Sequence, residues 1–197
     1  MDLFGPALQI IDWMGALPRV EDAGTHTETI SFIQDGHMPV DAPAESMSEG
    51  VSAQHVEIMR GELAKIIYEA GRNDIAYVFG NSISSLEQTE QGVNVAFHSG
   101  SPRRFDLVVG ADGLHSITRR LVFGEEHQFL HFLGGYLAEF TVPNYLDLHQ
   151  QMLGYGDVGR TAALYPIRGT SQARVTCCGG RLRCMITITR MSQRSDD

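Results

Sequence analysis

Residues 106–119 hold the side chains in this sequence that are best suited to chemistry, and they read DLVVGADGLHSITR. Gly110 and Gly113 lack a Cβ, so a turn there can bring the backbone close to a ligand. A helix that begins after the turn presents N–H groups and a positive dipole end, which favour a phosphate. Asp112 can accept hydrogen bonds from ligand hydroxyls or from a water, Ser116 can cap the helix, and Arg119 can reach back to the turn. The same residues also suit an ordinary strand–turn–helix in which Asp112 accepts from turn N–H groups, and on the residues alone the two interpretations weigh equally.

Other residues that could do chemistry form weaker patterns. His127 and His131 are four apart, a spacing that metals use on a helix, but no third ligand stands near them at a recognisable spacing. Three cysteines fall within eight residues, at 177, 178 and 184, and no histidine follows His149. An odd, clustered count is not a disulfide framework, so reduced thiols in a cytoplasmic protein and no metal site are expected. No Gly-x-Ser-x-Gly elbow occurs, and the pattern assigns no catalytic residue.

The elements that must position these residues follow from the spacing of apolar side chains. Helical spacing predicts helices over residues 3–14, 56–70 and 114–123. Residues rich in β-formers between turn signals predict strands at 29–33, 75–79, 82–86, 93–97, 105–109, 136–142 and 161–167. Residues 36–50 hold two prolines and two glycines and are predicted to be a loop. This mixed order predicts an α/β or α+β fold.

Composition excludes several classes of protein. Hydrophobic residues make up 43% of the 197 and charged residues 20%, which is typical of a globular chain. No apolar run approaches the roughly 18 residues of a membrane helix, so no integral membrane segment is expected. The chain does not open on a secretory signal, which agrees with a cytoplasmic location. The net charge of −9 argues against a nucleic-acid surface.

Three segments of the sequence resemble one family. The apolar stretch followed by Gly-Ala-Asp-Gly, then by Ser116 and Arg119, resembles the "DG" fingerprint of the class A FAD-dependent monooxygenases, the para-hydroxybenzoate hydroxylase-like family. Arg60 with Leu63 three residues later resembles a helix of that family, and residues 2–8 resemble the region just past its second strand. The three segments stand in the family's order, and the resemblance covers residues 1–167.

The resemblance implies a partial Rossmann-like FAD-binding domain interleaved with a partial substrate-binding sheet, the latter formed by about residues 125–167. It implies FAD and NAD(P)H as cofactors and oxygenation of an aromatic or other electron-rich small molecule. By resemblance, Arg60 contacts the FAD, Asp112 and Gly113 lie along its pyrophosphate, and Arg119 supports that turn.

Two elements of the family are missing from the sequence. No GxGxxG occurs, and the only Gly-Asp pair, Gly156-Asp157, comes too early and precedes a strand-like stretch rather than a helix. We therefore expect an internal fragment that binds FAD weakly or not at all by itself and needs a missing partner chain or a second copy. A non-catalytic binding module, or another flavoprotein such as a halogenase or reductase, is the alternative.

Charge is distributed unevenly along the chain. Residues 1–167 carry 22 acidic and 9 basic side chains, whereas residues 168–197 carry 2 and 6. The chain has 14 arginines and one lysine, which suggests GC-rich coding DNA, and an out-of-frame reading of such DNA is rich in arginine. Residues 168–197 are therefore predicted to be an atypical tail, disordered or frameshifted.

Overall fold

A computed structural model describes residues 1–47 and 54–180 of the chain. Backbone contacts divide the chain into two compact units. The first unit is formed by Met1–Asp74 and Gly134–Asp197, and the second by Ile75–Leu133. Each unit has its own strands and helices.

Helices and strands alternate irregularly along the described residues. The α-helices are α1 (Gly5–Trp13), α2 (Leu17–Asp22), α3 (Arg60–Gly71) and α4 (Ile117–Phe123). The strands are β1 (Asp2–Phe4), β2 (Thr29–Ile33), β3 (Val40–Pro43), β4 (His55–Glu57), β5 (Ile83–Thr89), β6 (Gly92–Phe97), β7 (Arg103–Phe105), β8 (Tyr136–Pro143), β9 (Gln151–Asp157), β10 (Arg160–Pro166) and β11 (Gln172–Gly179). Short 3-10 turns cover Ala44–Met47 and Glu126–Gln128.

Helices α1, α2 and α3 of the first unit pack on the two-stranded sheet β1–β4. Their shared core is apolar and consists of Leu3, Leu8, Ile11, Ala16, Val20, Ile58, Leu63 and Ile66. Two predicted helices begin later than expected, at Gly5 and Arg60, because the residues before them pair with each other as β1 and β4. Because these apolar side chains are removed from water, their burial stabilises the packing of the helices on the two strands.

A six-stranded sheet forms the rest of the first unit, in the order β3-β2-β9-β10-β11-β8. Strand β2 runs parallel to β9, and the other neighbours are antiparallel. Successive side chains point to opposite faces of a strand. One face carries a buried cluster that includes Leu164, Val175 and Cys177, and the opposite face carries Ala163, Tyr165 and Thr176.

Strand β11 corrects the boundary predicted at residue 168. Residues 172–179 pair with β10 on one side and with β8 on the other, so this stretch belongs to the sheet. The physical reason is the alternation of Ala173, Val175 and Cys177, whose side chains are buried between the neighbouring strands. The prediction of a tail relied on the arginine content and overlooked this alternation of apolar side chains. Residues 181–197 lie outside the described residues.

The second unit consists of the antiparallel sheet β5-β6-β7 and helix α4. Two predicted strands differ from the structure: residues 75–79 belong to no strand, and the strand expected at 105–109 is formed only over Arg103–Phe105. No described strand pairs with residues 106–109, and the side chains of Leu107 and Val109 are 76% exposed. Without a neighbouring strand, the backbone N–H and C=O groups of this apolar run have no partners for β-sheet hydrogen bonds, so no strand forms.

The structure confirms the expectation of a mixed α/β fold. Gly156-Asp157 ends β9 and leads into β10, as expected, rather than into a helix. Within the described residues, no helix has both the length and the apolar character needed to cross a membrane.

Candidate functional site: the turn at Asp112

Asp112 holds together the turn that joins the apolar run to α4. Its Oδ1 accepts a hydrogen bond from the Ser116 hydroxyl at 2.5 Å, and its Oδ2 accepts one from the Thr118 backbone N–H at 2.9 Å. Ser116 in turn caps α4, since its Oγ accepts from the Arg119 backbone N–H at 2.9 Å. The carboxylate therefore stabilises the start of the helix, as expected of an ordinary turn before a helix, although the residues before the turn form no strand.

Arg119 folds back over the same turn. Its Nη2 donates to the Leu114 carbonyl at 2.6 Å and lies 3.9 Å from Glu126 Oε1. The guanidinium also lies 5.5 Å from the centre of the Phe129 ring. Its Nε is buried and has no hydrogen-bond partner among the residues that the structure describes. Leu114, Glu126 and Phe129 were missed from the sequence, where only the reach of Arg119 to the turn was expected.

The two glycines of the turn differ in what they allow. A Cβ on Gly110 would lie 2.9 Å from Thr118 Cγ2, so the backbone packs tightly against α4 there. Gly113 has a φ of +84°, which favours glycine, and a Cβ there would meet nothing within 4 Å. The backbone at Gly113 is thus the open side of the turn, where another molecule can approach it.

The hydrogen bonds to Asp112 hold the pKa of its carboxyl well below its usual range, chiefly through the Ser116 hydroxyl and then through the Thr118 N–H. Since the folded pKa is depressed, the stabilisation is present above the ordinary value of 3.8 and is lost as the pH falls through the folded pKa. The turn is therefore strongest when the carboxylate is charged, as it is at neutral pH.

Replacing Asp112 with asparagine is expected to loosen this turn, because an amide nitrogen cannot accept the hydrogen bond that one carboxylate oxygen accepts. At pH 7, hydrogen–deuterium exchange over residues 112–123, corrected for intrinsic rates, should be several-fold faster in Asp112→Asn than in the unmodified chain. The difference should persist at the ordinary carboxyl pKa of 3.8 and shrink only as the pH falls through the depressed pKa of folded Asp112, where the unmodified carboxyl is protonated too. Asp106→Asn, which removes an exposed carboxylate six residues earlier, is the control. Equal exchange in both variants would contradict the role of Asp112.

Arg60 is the fourth residue that the sequence singled out. It is the first residue of α3, it is exposed, and it belongs to the first unit, whereas Asp112, Gly113 and Arg119 belong to the second. The structure brings the last three together in one turn. The contact of each of the four residues with a cofactor stays a prediction.

Metal-binding side chains do not converge in the described residues, where no group of three or more histidine, cysteine or acidic residues could hold an ion. His127 lies in the short 3-10 turn and His131 lies outside any helix, so the two do not share an α-helical face.

Comparisons with known proteins give this turn a context. No family model matches the chain. An uncharacterized protein of Mycobacterium tuberculosis is 39% identical over 177 residues, which cover 88% of this chain and 47% of that protein. A flavin-dependent monooxygenase of Legionella longbeachae is 35% identical over 149 residues, or 75% of this chain and 38% of the enzyme. The crystal structure of the tetracycline destructase Tet(55) superposes with a TM-score of 0.76 at 28% identity, covering 91% of this chain and 45% of that one.

The chain belongs to the class A FAD-dependent monooxygenase family. The resemblance inferred from the three sequence segments is thereby confirmed. The chain spans about half the length of the mycobacterial relative and a smaller part, 38%, of the Legionella enzyme. The turn at Asp112 is the part of the second unit in which the family fingerprint and the hydrogen-bonded geometry coincide.

Proposed function

We propose that this chain forms part of an oxidoreductase that binds FAD, is reduced by NAD(P)H and oxygenates an aromatic or other electron-rich small molecule. The observation that carries this proposal is the 35% identity to a flavin-dependent monooxygenase over 75% of the chain. The superposition on a tetracycline destructase supports it independently of the sequence fingerprint.

The residues at the turn suit a flavin nucleotide. Gly113 offers backbone with open space around it, and the guanidinium of Arg119, which folds back on the same turn, supplies a positive charge beside it. Arg60 adds an exposed guanidinium at the first position of α3, and guanidinium groups bind phosphate oxygens in two parallel hydrogen bonds.

In this proposal, the role of each residue of the turn follows from its contacts. Asp112 keeps the turn closed, so that the backbone at Gly113 approaches the nucleotide in a fixed conformation. Arg119 supports the turn from Leu114 and balances negative charge nearby. Bound FAD would supply the oxygen-transfer chemistry, and the protein would orient the substrate and exclude water. The six-stranded sheet of β2, β3 and β8–β11 is the proposed substrate-binding portion, which extends the segment predicted at about 125–167 on both sides.

Flavin fluorescence tests the proposal with the chain alone. We expect weak quenching of FAD fluorescence, with a dissociation constant between about 1 µM and 1 mM, since millimolar affinity corresponds to only about 4 kcal/mol. Arg60→Ala should weaken the binding about tenfold, because it removes a charge-assisted hydrogen bond. Arg72→Ala is the matched control, since Arg72 is an exposed arginine at the other end of α3.

Absence of quenching up to about 1 mM FAD would contradict FAD binding by this chain itself, and equal weakening by the two arginine variants would contradict the role of Arg60. NAD(P)H oxidation by the FAD-loaded chain would add activity to binding and would count against the expectation of an inactive fragment.

A further inference from the structure

A cavity of about 1250 Å³ lies within the first unit, against the face of the six-stranded sheet that carries Tyr165. The sheet forms one wall, and the opposite wall comes from the beginning of the chain, the end of α2 and strand β4. Its volume exceeds that of most small-molecule sites, which hold ligands in about 300–1,000 Å³. The cavity shares no residue with the turn at Asp112.

The walls of the cavity combine an apolar floor with several carboxylates. Apolar side chains on the floor are Ile30, Leu137, Met152 and Ala163. Five carboxylates line the cavity, those of Asp2, Glu21, Glu45, Glu57 and Glu139. Among the described residues, no lysine or arginine lines it. A flat apolar group therefore fits against the sheet, and a positive charge fits beside it.

Two carboxylates reach the sheet side of the cavity without a basic partner. Glu57 accepts a hydrogen bond from the Thr25 hydroxyl at 2.7 Å, and Glu139 accepts one from the Thr176 hydroxyl at 3.4 Å. Neither forms an ion pair within the described residues. Arg174, which stands opposite Tyr165 in the sheet, donates instead to the Thr141 hydroxyl at 3.0 Å and does not line the cavity.

The two imidazoles and the amino group in the lining already contact other protein atoms. His55 Nε2 lies 2.9 Å from Asp2 Oδ1, and His26 Nε2 lies 3.3 Å from the Asp22 carbonyl. The amino group of Met1 donates to the Ile58 carbonyl at 3.0 Å. These contacts leave Glu57 and Glu139 as the charges that a ligand meets on the apolar floor.

The side chain of Tyr165 is affected by the negative charges of both Glu57 and Glu139. Its side chain lines the cavity, and the residue is only 7% exposed. Burial raises the pKa of the phenol most, and the negative charges of Glu57 and Glu139 raise it further, whereas the hydrogen bond with Thr176 and the positive charge of Arg174 oppose the shift. The phenol therefore stays protonated at neutral pH, and both carboxylates act on this one side chain of the cavity lining.

We propose that this cavity binds a substrate that carries a protonated amine, with its apolar ring on the sheet and its ammonium group between Glu57 and Glu139. The proposal rests on the proposed function, for which it names the substrate class. Two carboxylates on one wall of the cavity attract a cation, whereas a carboxylate ligand would add like charge to the site and be repelled.

Three naphthalene probes of equal shape test the proposal on the full chain by isothermal titration calorimetry. 2-Naphthylmethylamine should bind at least about tenfold more tightly than 2-naphthylmethanol, and 2-naphthoate should bind most weakly. Glu57→Gln and Glu139→Gln should each reduce the preference for the amine over the alcohol severalfold, while affinity for the alcohol stays unchanged. Glu125→Gln removes an exposed carboxylate outside the cavity and should leave the preference intact.

Equal binding of amine and alcohol, tightest binding of the carboxylate, or a preference that survives both glutamine variants would overturn the proposal. Glu139 is exposed, so Glu139→Gln remains informative even where Glu57→Gln disturbs folding. FAD quenching is measured separately on the same proteins. Loss of the amine preference with normal FAD binding contradicts only the substrate class, and absence of FAD binding with an intact amine preference contradicts only the flavoprotein function.

Discussion

Replacing Ile11 with alanine is expected to lower the free energy of unfolding of the first unit by about 2–5 kcal/mol. Ile11 lies in α1, is 5% exposed and belongs to the apolar core that α1, α2 and α3 share with strands β1 and β4. Truncation removes buried methyl groups and leaves a cavity that the neighbouring helices can close only in part. The proposed cation-binding cavity depends on this core, because strand β4 supplies Glu57 and α2 supplies Glu21.

The adjacent residue offers a matched control for this prediction. Ile10 occupies the same helix and is 54% exposed, so Ile10→Ala makes the same chemical change and gains the same helix propensity without opening a cavity. Urea unfolding can be followed by the fluorescence of Trp13, the single tryptophan, which lies at the end of α1. Equal shifts in the two variants would show that α1 does not pack on the core as described.

Most elements whose side chains follow one simple period could be predicted from the sequence. Strand β2 covers the predicted residues 29–33, β6 and β8 differ from prediction by one residue at one end, and β10 differs by one residue at each end. Strand β9 was missed because Gln151–Asp157 contains two glycines, and it is held by its neighbours β2 and β10 rather than by its own β-propensity. A strand with a weak local preference of this kind forms only because it pairs with strands that are distant in the sequence.

The candidate site was predictable to the extent that it is local. Asp112, Ser116 and Arg119 lie within one turn and the first turn of a helix, so their spacing alone brings the three together. Glu126 and Phe129 meet Arg119 only because the chain reverses after α4, which the spacing does not indicate. The cavity could not be predicted from the sequence at all. Glu57, Glu139 and Tyr165 lie on separate strands far from one another in the sequence and meet only through the sheet register and the packing of β4.

Replacing Gly92 with alanine is expected to destabilise the second unit by about 2–5 kcal/mol, from the strain of a positive φ together with a backbone clash. Gly92 begins β6 with a φ of +130°, and a Cβ there would lie 2.4 Å from the Phe105 carbonyl oxygen. That oxygen belongs to β7 and cannot move aside like the end of a flexible side chain. The T-shaped contact of Phe105 with Phe97, whose ring centres are 6.4 Å apart, would be disturbed as well.

Gly100→Ala separates the two causes, because Gly100 has a φ of +91° in the same unit but a Cβ there would meet nothing within 4 Å. We expect the control to cost only the strain of its backbone conformation, about 1–3 kcal/mol. Phe105 directly precedes the segment that leads to Asp112, so a displaced β7 should also speed hydrogen–deuterium exchange over residues 106–119. Faster exchange there in Gly92→Ala, and not in Gly100→Ala, would show that β7 holds the start of the candidate site, whereas equal exchange in both would show that the turn at Asp112 is held by its own hydrogen bonds alone.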